Sequence, residues 1–325
     1  MILRRLAIVV LLSAGCAANA QAPDIEPQVR AALIKYLRFT DADLAGVRRG
    51  DVVKHGLPAR APGEIAVAGA VRIAAPKSAF FDRVRDIARF KAGPDVLQIG
   101  RFSTPPSLED LAALTVDEND FDPRSCRVGD CGIRLPAATI ERLAREIDRR
   151  APDAQARAAA WFKRFLLDTV VAHASGSDRD LQYDDGNTPI RPRDELSGIV
   201  SNMPEIDALL PSAVEKEEFL YWSKEKFGLD PFITVTHVTI ACRSAATCLM
   251  TTRDVYSSRY LDASMALAIA TDAGGPDAFY LIYDNRSRAN ALKGTLSGLR
   301  RLLAERRARG GLEDSLKAIR ARLHG

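Results

Sequence analysis

Five stretches in the last third of the chain, residues 219–223, 232–242, 248–258, 260–271 and 278–285, are dominated by Thr, Val, Ile and Tyr. Such residues favour a pleated, partly buried backbone. Turn-forming text separates them, Gly228-Leu229-Asp230-Pro231 in one gap and Gly274-Gly275-Pro276-Asp277 in another. A parallel crossover needs about a dozen residues or more, so connections this short join antiparallel neighbours. A helical pattern follows from about residue 288, with Leu292, Leu296, Leu299 and Leu303 as its apolar stripe. Gly310-Gly311 interrupts that helix, and Leu312, Leu316, Ile319 and Leu323 resume it. The chain is thereby constrained to an antiparallel sheet followed by a long closing helix.

The earlier part of the chain is mixed. Residues 64–74 read as a strand that Ala75-Pro76 ends. A helix over 77–90 places Phe80, Phe81, Val84, Ile87 and Phe90 at helical spacing, and 96–102 returns to strand character. The middle is helical: a short helix at 108–114, an extended piece at 126–135, then amphipathic helices at 137–149 and 153–172. The last of these buries Trp161, Phe165, Leu166 and Val170 on one face. Residues 175–211 are rich in Gly, Pro, Asp and Asn and read mostly as loop, with a short strand near 181–183 and one or two short helices. The proline-punctuated N-terminal part carries a helix at 29–39 and the start of another at 41–44. The expected organisation is a leader at 1–20, a helical and irregular segment at 21–62, and one domain at 63–323 with a helical insertion at about 105–215.

The leader has Arg4 and Arg5, an apolar run over 6–12 and Ala18-Asn19-Ala20. That is the charge, apolar core and small-residue order of a secretory signal peptide. The run is too short for a bilayer span of about 20 residues. Export to the periplasm or outside the cell, with cleavage after Ala20, is the expectation. Two alternatives stand beside it: Leu12-Ser13-Ala14-Gly15-Cys16 resembles a lipoprotein box that would lipidate Cys16, and the leader can remain as an anchor.

Export decides how the cysteines read. Cys126, Cys131, Cys242 and Cys248 are an even set beyond the leader, which points first to disulfides. Of three connectivities the local one, Cys126–Cys131 with Cys242–Cys248, is preferred, because each pair flanks a short loop. Zinc is the alternative, without the usual two-residue spacing or a nearby histidine; a redox-active pair is another. An apolar content of 47% supports a packed core. The net charge of +4 falls to +2 without Arg4 and Arg5, which gives no reason to expect nucleic acid as a partner.

A strand, a helix entered through Ala75-Pro76-Lys77-Ser78, a run of antiparallel strands and a long C-terminal helix: this order is similar to that of START-like proteins, with their helix-grip, polyketide-cyclase-like fold. Ala68-Gly69-Ala70-Val71-Arg72-Ile73-Ala74-Ala75-Pro76-Lys77-Ser78-Ala79-Phe80-Phe81, followed by Asp86-Ile87, resembles their opening strand and first helix. The resemblance covers roughly 64–102 and 216–323, and the helical middle departs from it. It implies an α+β fold in which a curved antiparallel sheet wraps the C-terminal helix, with an apolar cavity between them. Tyr221-Trp222-Ser223-Lys224-Glu225 and Tyr283-Asp284-Asn285-Arg286-Ser287-Arg288 also resemble parts of a family of exported bacterial proteins, a likeness that implies no function.

Common catalytic signatures are missing from the sequence: there is no Gly-x-Ser-x-Gly, His-Glu-x-x-His, P-loop or Gly-x-Gly-x-x-Gly. Among His55, His173, His237 and His324, only His237 sits in one of these strand stretches, where it is either a general base or ligand contact, or a core histidine satisfied by a neighbour. The acidic runs Asp117-Glu118-Asn119-Asp120-Phe121-Asp122 and Asp178, Asp180, Asp184, Asp185 lack the glycine and distal glutamate of a calcium loop and read as solvated turns. Tyr221, Trp222, Tyr256, Tyr260, Tyr280 and Tyr283 combine an apolar ring with a polar tip, which suits either a core or a ligand cavity. Arg259 and Arg286 suit a carboxylate or phosphate head group, or ion pairs with Asp254, Asp262 or Asp284. Asn285-Arg286-Ser287 also matches a glycosylation sequon. Arginines on the C-terminal helix read as a solvated face or a membrane-surface contact.

The leading expectation is an exported binding protein for a small apolar or amphipathic ligand, such as a lipid, held between sheet and C-terminal helix. Tyr221, His237, Tyr256, Arg259, Tyr260, Tyr283 and Arg286 are the candidate contacts, with Leu292, Leu296 and Leu299 from the helix. One alternative is an enzyme of the same fold, using His237 with Tyr256 or Asp254 in acid–base chemistry. Another is a structural envelope protein with a partner surface on the helical middle. No cofactor and no metal is implied.

Overall fold

The structure, a computed structural model, describes residues 25–178, 181–183, 189–210, 215–226, 230–294 and 297–323. Helices α1 (Pro27–Leu37) and α2 (Asp41–Arg49) precede a hairpin of β1 (Val53–Leu57) and β2 (Glu64–Ile73). Then come α3 (Lys77–Arg85), α4 (Ile87–Phe90) and β3 (Val96–Arg101). The middle holds α5 (Ala137–Glu146), α6 (Ala154–Ser175), α7 (Pro192–Val200) and α8 (Pro204–Leu209). Five strands follow, β4 (Lys216–Glu225), β5 (Phe232–Cys242), β6 (Thr247–Ser257), β7 (Ala263–Asp272) and β8 (Phe279–Arg288), and α9 (Ser297–Leu323) closes the chain.

All eight strands form one antiparallel sheet in the order β1-β2-β8-β7-β6-β5-β4-β3. The sheet is curved and does not close on itself, so the α+β class and the sheet-plus-C-terminal-helix architecture are as the sequence implies. From β4 to β8 each strand pairs with the next, as their short connections require. β2 comes back to lie on β8, from Glu64 opposite Arg288 to Ile73 opposite Phe279.

Side chains alternate across a strand, so the sheet has two differently used faces. The inner face packs Val71, Ile73, Val238, Ile240 and Leu281 against Phe80 and Phe81 of α3 and Leu312 and Leu316 of α9. The outer face has two covers. Ala66, Ala68, Leu267 and Ile282 lie under α1, α2, α7 and α8, while Trp222, Val235 and Tyr256 lie under α5 and α6. Gly69 lets α9 approach β2: a Cβ there would stand 3.0 Å from Leu316 and 3.1 Å from Leu312. Val255 is an extra residue in β6, since Val235 faces Tyr256 while Thr236 faces Asp254. The bulge turns Tyr256 to the outer face and Asp254 to the inner one.

Cys126 with Cys131 and Cys242 with Cys248 lie at disulfide distance, in the local pairing. The second pair joins directly opposed residues of β5 and β6. The first closes a turn in which the backbones of Arg127 and Asp130 pair. This pairing is what an oxidising compartment permits. The residues read as a signal peptide, 1–20, and the lipoprotein-like box at Cys16 lie outside the described residues.

Several sequence expectations are corrected. The last helix does not begin near 288, because both β2 and β7 pair with β8 as far as Arg288. Nor do Gly310 and Gly311 interrupt α9. Each glycine costs a helix about 1 kcal/mol, and the seating of Leu312 and Leu316 on Gly69 offsets it. Residues 126–135 hold turns and isolated bridge residues rather than a continuous extended piece. β1, within the segment read as helical and irregular, adds an edge strand. Ligand contacts expected from the helix do not form a stripe: Leu299 is 64% exposed, Leu292 precedes α9, and Leu296 lies outside the described residues.

At α2 a capping box fixes the start: Asp43 donates its backbone N–H to the Thr40 hydroxyl at 3.2 Å, and its carboxylate accepts from the Thr40 N–H at 2.8 Å. Thr40→Ala is expected to cost about 1 kcal/mol in urea unfolding; an unchanged midpoint would show that the tertiary packing of Leu44 and Val47 alone sets this helix.

Candidate functional site

Along the inner face every strand from β4 to β8 changes character. The inward residues run Phe219, Tyr221, Ser223, Glu225 on β4 and Ile240, Val238, Thr236, Thr234 on β5. They run Cys248, Met250, Thr252, Asp254 on β6, Ala270, Ala268, Ala266, Ser264 on β7, and Phe279, Leu281, Tyr283, Asn285 on β8. One end of the face is therefore apolar and lies under α3 and α9, while the other is a floor of hydroxyls, carboxyls and an amide. Thr252, Asp254, Tyr283 and Asn285 keep part of their surface in contact with solvent. The curved inner face thus has an apolar end, closed by α3 and α9, and a polar recess partly open to solvent.

Lys91, in the chain leaving α4, reaches into this recess. Its placement depends on α9, whose Arg322 donates to the carbonyls of Phe90 at 2.8 Å and Ala92 at 2.9 Å. The Lys91 ammonium lies 2.5 Å from the Glu225 carboxylate, 3.4 Å from the Tyr221 hydroxyl and 5.3 Å from the Tyr221 ring centre. Ser223 donates to Glu225 at 2.6 Å and shares a hydrogen bond with Thr234 at 3.0 Å. Thr236 donates to one Asp254 oxygen at 3.0 Å. No hydrogen bond from the described residues reaches the other Asp254 oxygen or the Tyr283 hydroxyl. With the Thr252 hydroxyl, these are unengaged polar groups of the recess among the described residues.

The surrounding protein shifts their ionisation. Burial pushes the Asp254 carboxyl up to about 7, against the Thr236 hydrogen bond and the nearby Lys91 charge. Burial also raises the Tyr283 phenol, so it stays neutral and able to donate. Lys91 behaves in the opposite sense. Burial pulls it down, but Tyr221 and Glu225 outweigh burial and hold it above an ordinary lysine, fully charged. At neutral pH the recess thus holds the Lys91–Glu225 ion pair, the Asp254 carboxyl near its midpoint and the neutral Tyr283 phenol.

Of the seven sequence candidates, only Tyr221 and Tyr283 meet here. His237 lies on the outer face, 8% exposed. Tyr256 is buried among Phe162, Phe165 and Tyr183, and its hydroxyl donates to the Arg134 carbonyl at 3.0 Å. Arg259 ties loops together through the carbonyls of Gly132, Pro231, Asn119 and Asp120. The Tyr260 ring packs edge-on against Phe232. Arg286 is buried on the outer face and donates to Glu64 at 3.1 Å. Lys91, Ser223, Glu225, Thr236 and Asp254 are the polar side chains that stand with Tyr221 and Tyr283 at this end of the face.

His237 has partners other than the expected Tyr256 and Asp254. Its Nδ1 lies 3.0 Å from His173 Nε2 and 3.0 Å from the Arg253 guanidinium, and His173 Nδ1 lies 2.9 Å from Asp178. Burial, with Arg253 and His173 adding to it, pulls His237 down to about 4. The ring is neutral at pH 7, and its Nδ1 is committed to docking the end of α6 onto the sheet. Asp180, Asp184 and Asp185 lie outside the described residues. Among those described, no three His, Cys, Asp or Glu side chains are placed to hold a metal. In the other acidic run, Asp120 is buried and bound by Lys224 at 2.6 Å.

A second concavity, about 250 Å³, lies between α3 and the β5–β6 turn. Its cations are already paired, Lys77 with Asp272 at 2.6 Å and Arg85 with Glu217 at 2.9 Å. It offers no unengaged polar group comparable with Asp254 or Tyr283.

Comparison of the chain with protein-family models, with curated proteins and with solved structures finds no match. The sheet and C-terminal helix remain compatible with a helix-grip fold on their geometry alone.

Proposed function

We propose that this is an exported, START-like binding protein that holds a small amphipathic molecule in the recess between the inner face and α9. The supporting observation is the change along every strand from an apolar end, at Val238, Met250 and Leu281, to a polar end, at Asp254, Tyr283 and Thr236. A ligand with an apolar chain and a hydrogen-bonding head matches both ends at once, its chain entering where Phe80, Phe81, Leu312 and Leu316 now pack. A purely apolar ligand would leave the Asp254 and Tyr283 groups without partners, which is costly. Ligand sites of this kind are mainly apolar, with a few polar groups that set orientation. The leader reading and the two cysteine pairs support an extracytoplasmic location.

Thermal unfolding with a panel of single-chain amines, alcohols and fatty acids tests this reading. Ligand at a hundred times its Kd stabilises the protein by about 2.7 kcal/mol. The Asp254 carboxyl gains its charge as pH rises through about 7. Affinity for an amine head therefore increases across that pH, and affinity for a carboxylate head decreases. Asp254→Asn removes both trends. The absence of a stabilising ligand across the whole panel would count against a binding role.

A further inference from the structure

We propose that the first half of α9 is a docking surface for an anionic lipid bilayer. Leu299, Leu302 and Leu303 occupy adjacent turns of this helix and are 64%, 59% and 60% exposed. Arg300, Arg301, Arg306 and Arg307 flank them and are exposed as well. Between residues 297 and 309 there are five arginines and a single acidic residue, Glu305. Glu305 points away from the leucines, toward Gly56 of β1. A helix with leucines on its outer side and arginines beside them lies in the plane of an anionic surface, its leucines in the acyl boundary and its arginines on the lipid phosphates. Among the described residues no helix is long and apolar enough to cross a membrane.

The charge pattern selects this occupant over a second copy of the chain. A two-fold pairing of the patch would set like-charged arginines against each other. Position supports the same choice. Gly56 pairs with Val67, and Val67 with Asn285, so the turn of α9 at Glu305 stands over the polar end of the recess. The leucines precede Glu305 by two to six residues, within two helical turns. A bilayer bound there would lie next to the polar end of the recess. Docking itself needs no ligand, so it can be read separately from the binding role proposed above.

Flotation with phosphatidylglycerol and with phosphatidylcholine vesicles tests the proposal, using the full chain and its variants so that the leader is common to all. The chain should float with phosphatidylglycerol, be released by salt, and ignore phosphatidylcholine. Leu299→Ser/Leu302→Ser/Leu303→Ser should abolish flotation with an unchanged Tm, because these side chains pack on little. Arg300→Glu/Arg301→Glu/Arg306→Glu should weaken binding by about a hundredfold or more, from the attraction of each cation to an anionic surface. The proposal is overturned by no flotation with either lipid, by equal flotation with both, or by a triple-serine variant that still floats. It is also overturned if the patch holds a dimer in solution that the serine variant converts to monomer.

Discussion

Glu64→Ala is expected to lower the unfolding free energy by about 3–5 kcal/mol, the cost of leaving a buried ion unpaired. Glu64 is fully buried at the start of β2. One of its oxygens accepts from Arg286 at 3.1 Å and from the Arg60 N–H at 3.2 Å. The other accepts from Arg288 at 3.2 Å and from Asn202 at 2.9 Å. The single carboxylate therefore ties β2, β8 and the chain between α7 and α8 together. Without it Arg286, 1% exposed, keeps only a long contact of 3.5 Å to the Pro58 carbonyl, whereas Arg288 retains Glu195 at 3.0 Å. Glu64→Gln keeps the shape and some hydrogen bonds, so its loss should be clearly smaller. Urea unfolding measures both; a loss below about 1 kcal/mol for Glu64→Ala would mean that the two arginines find other partners or water.

Asp284→Asn should stabilise the protein at alkaline pH by about 1–3 kcal/mol, the usual range for an uncompensated buried polar group. Asp284 and Glu205 of α8 are each 1% exposed on the outer face. Burial raises the Asp284 carboxyl well above its ordinary value, and the neighbouring Glu205 raises it further. The sign follows from proton linkage. The folded chain holds a proton on Asp284 that the unfolded chain releases near pH 4, so stability declines as pH rises from there toward the folded value. Asparagine stays neutral throughout and offers Glu205 an amide donor. The variant and wild type should therefore converge near pH 4, and the variant should be the more stable at pH 8. Equal stability at pH 8 would mean that the carboxyl pair is hydrated or otherwise compensated.

The sheet and its closing helix were legible in the sequence because the segments between 219 and 285 are β-branched and separated by short turns. The helix boundary near 288 was misplaced because Arg286 and Arg288 look like helix text. Their tertiary role, pairing with Glu64 across β2, keeps them in a strand. The candidate site was only partly readable. The alternate residues of each strand already spell the passage from Val238 to Thr234 and from Leu281 to Asn285, and that signal was available. Two things hid the rest. Strict alternation would put Asp254 and Tyr256 on one face; the Val255 bulge parts them, leaving Asp254 inside and Tyr256 outside. Lys91 enters the site from a loop far along the chain, placed by contacts with Arg322 that no local pattern records. His237 was read with its strand neighbours, whereas its real partner His173 comes from α6.

Native mass spectrometry of the purified chain tests the central claim most directly, with Asp254→Asn measured beside wild type. An occupied recess predicts a bound species of lipid-like mass on the wild-type chain that organic solvent releases, and reduced occupancy on the variant. A wild-type chain with only its own mass, still without an adduct after incubation with amine- and alcohol-headed amphipaths, would contradict it.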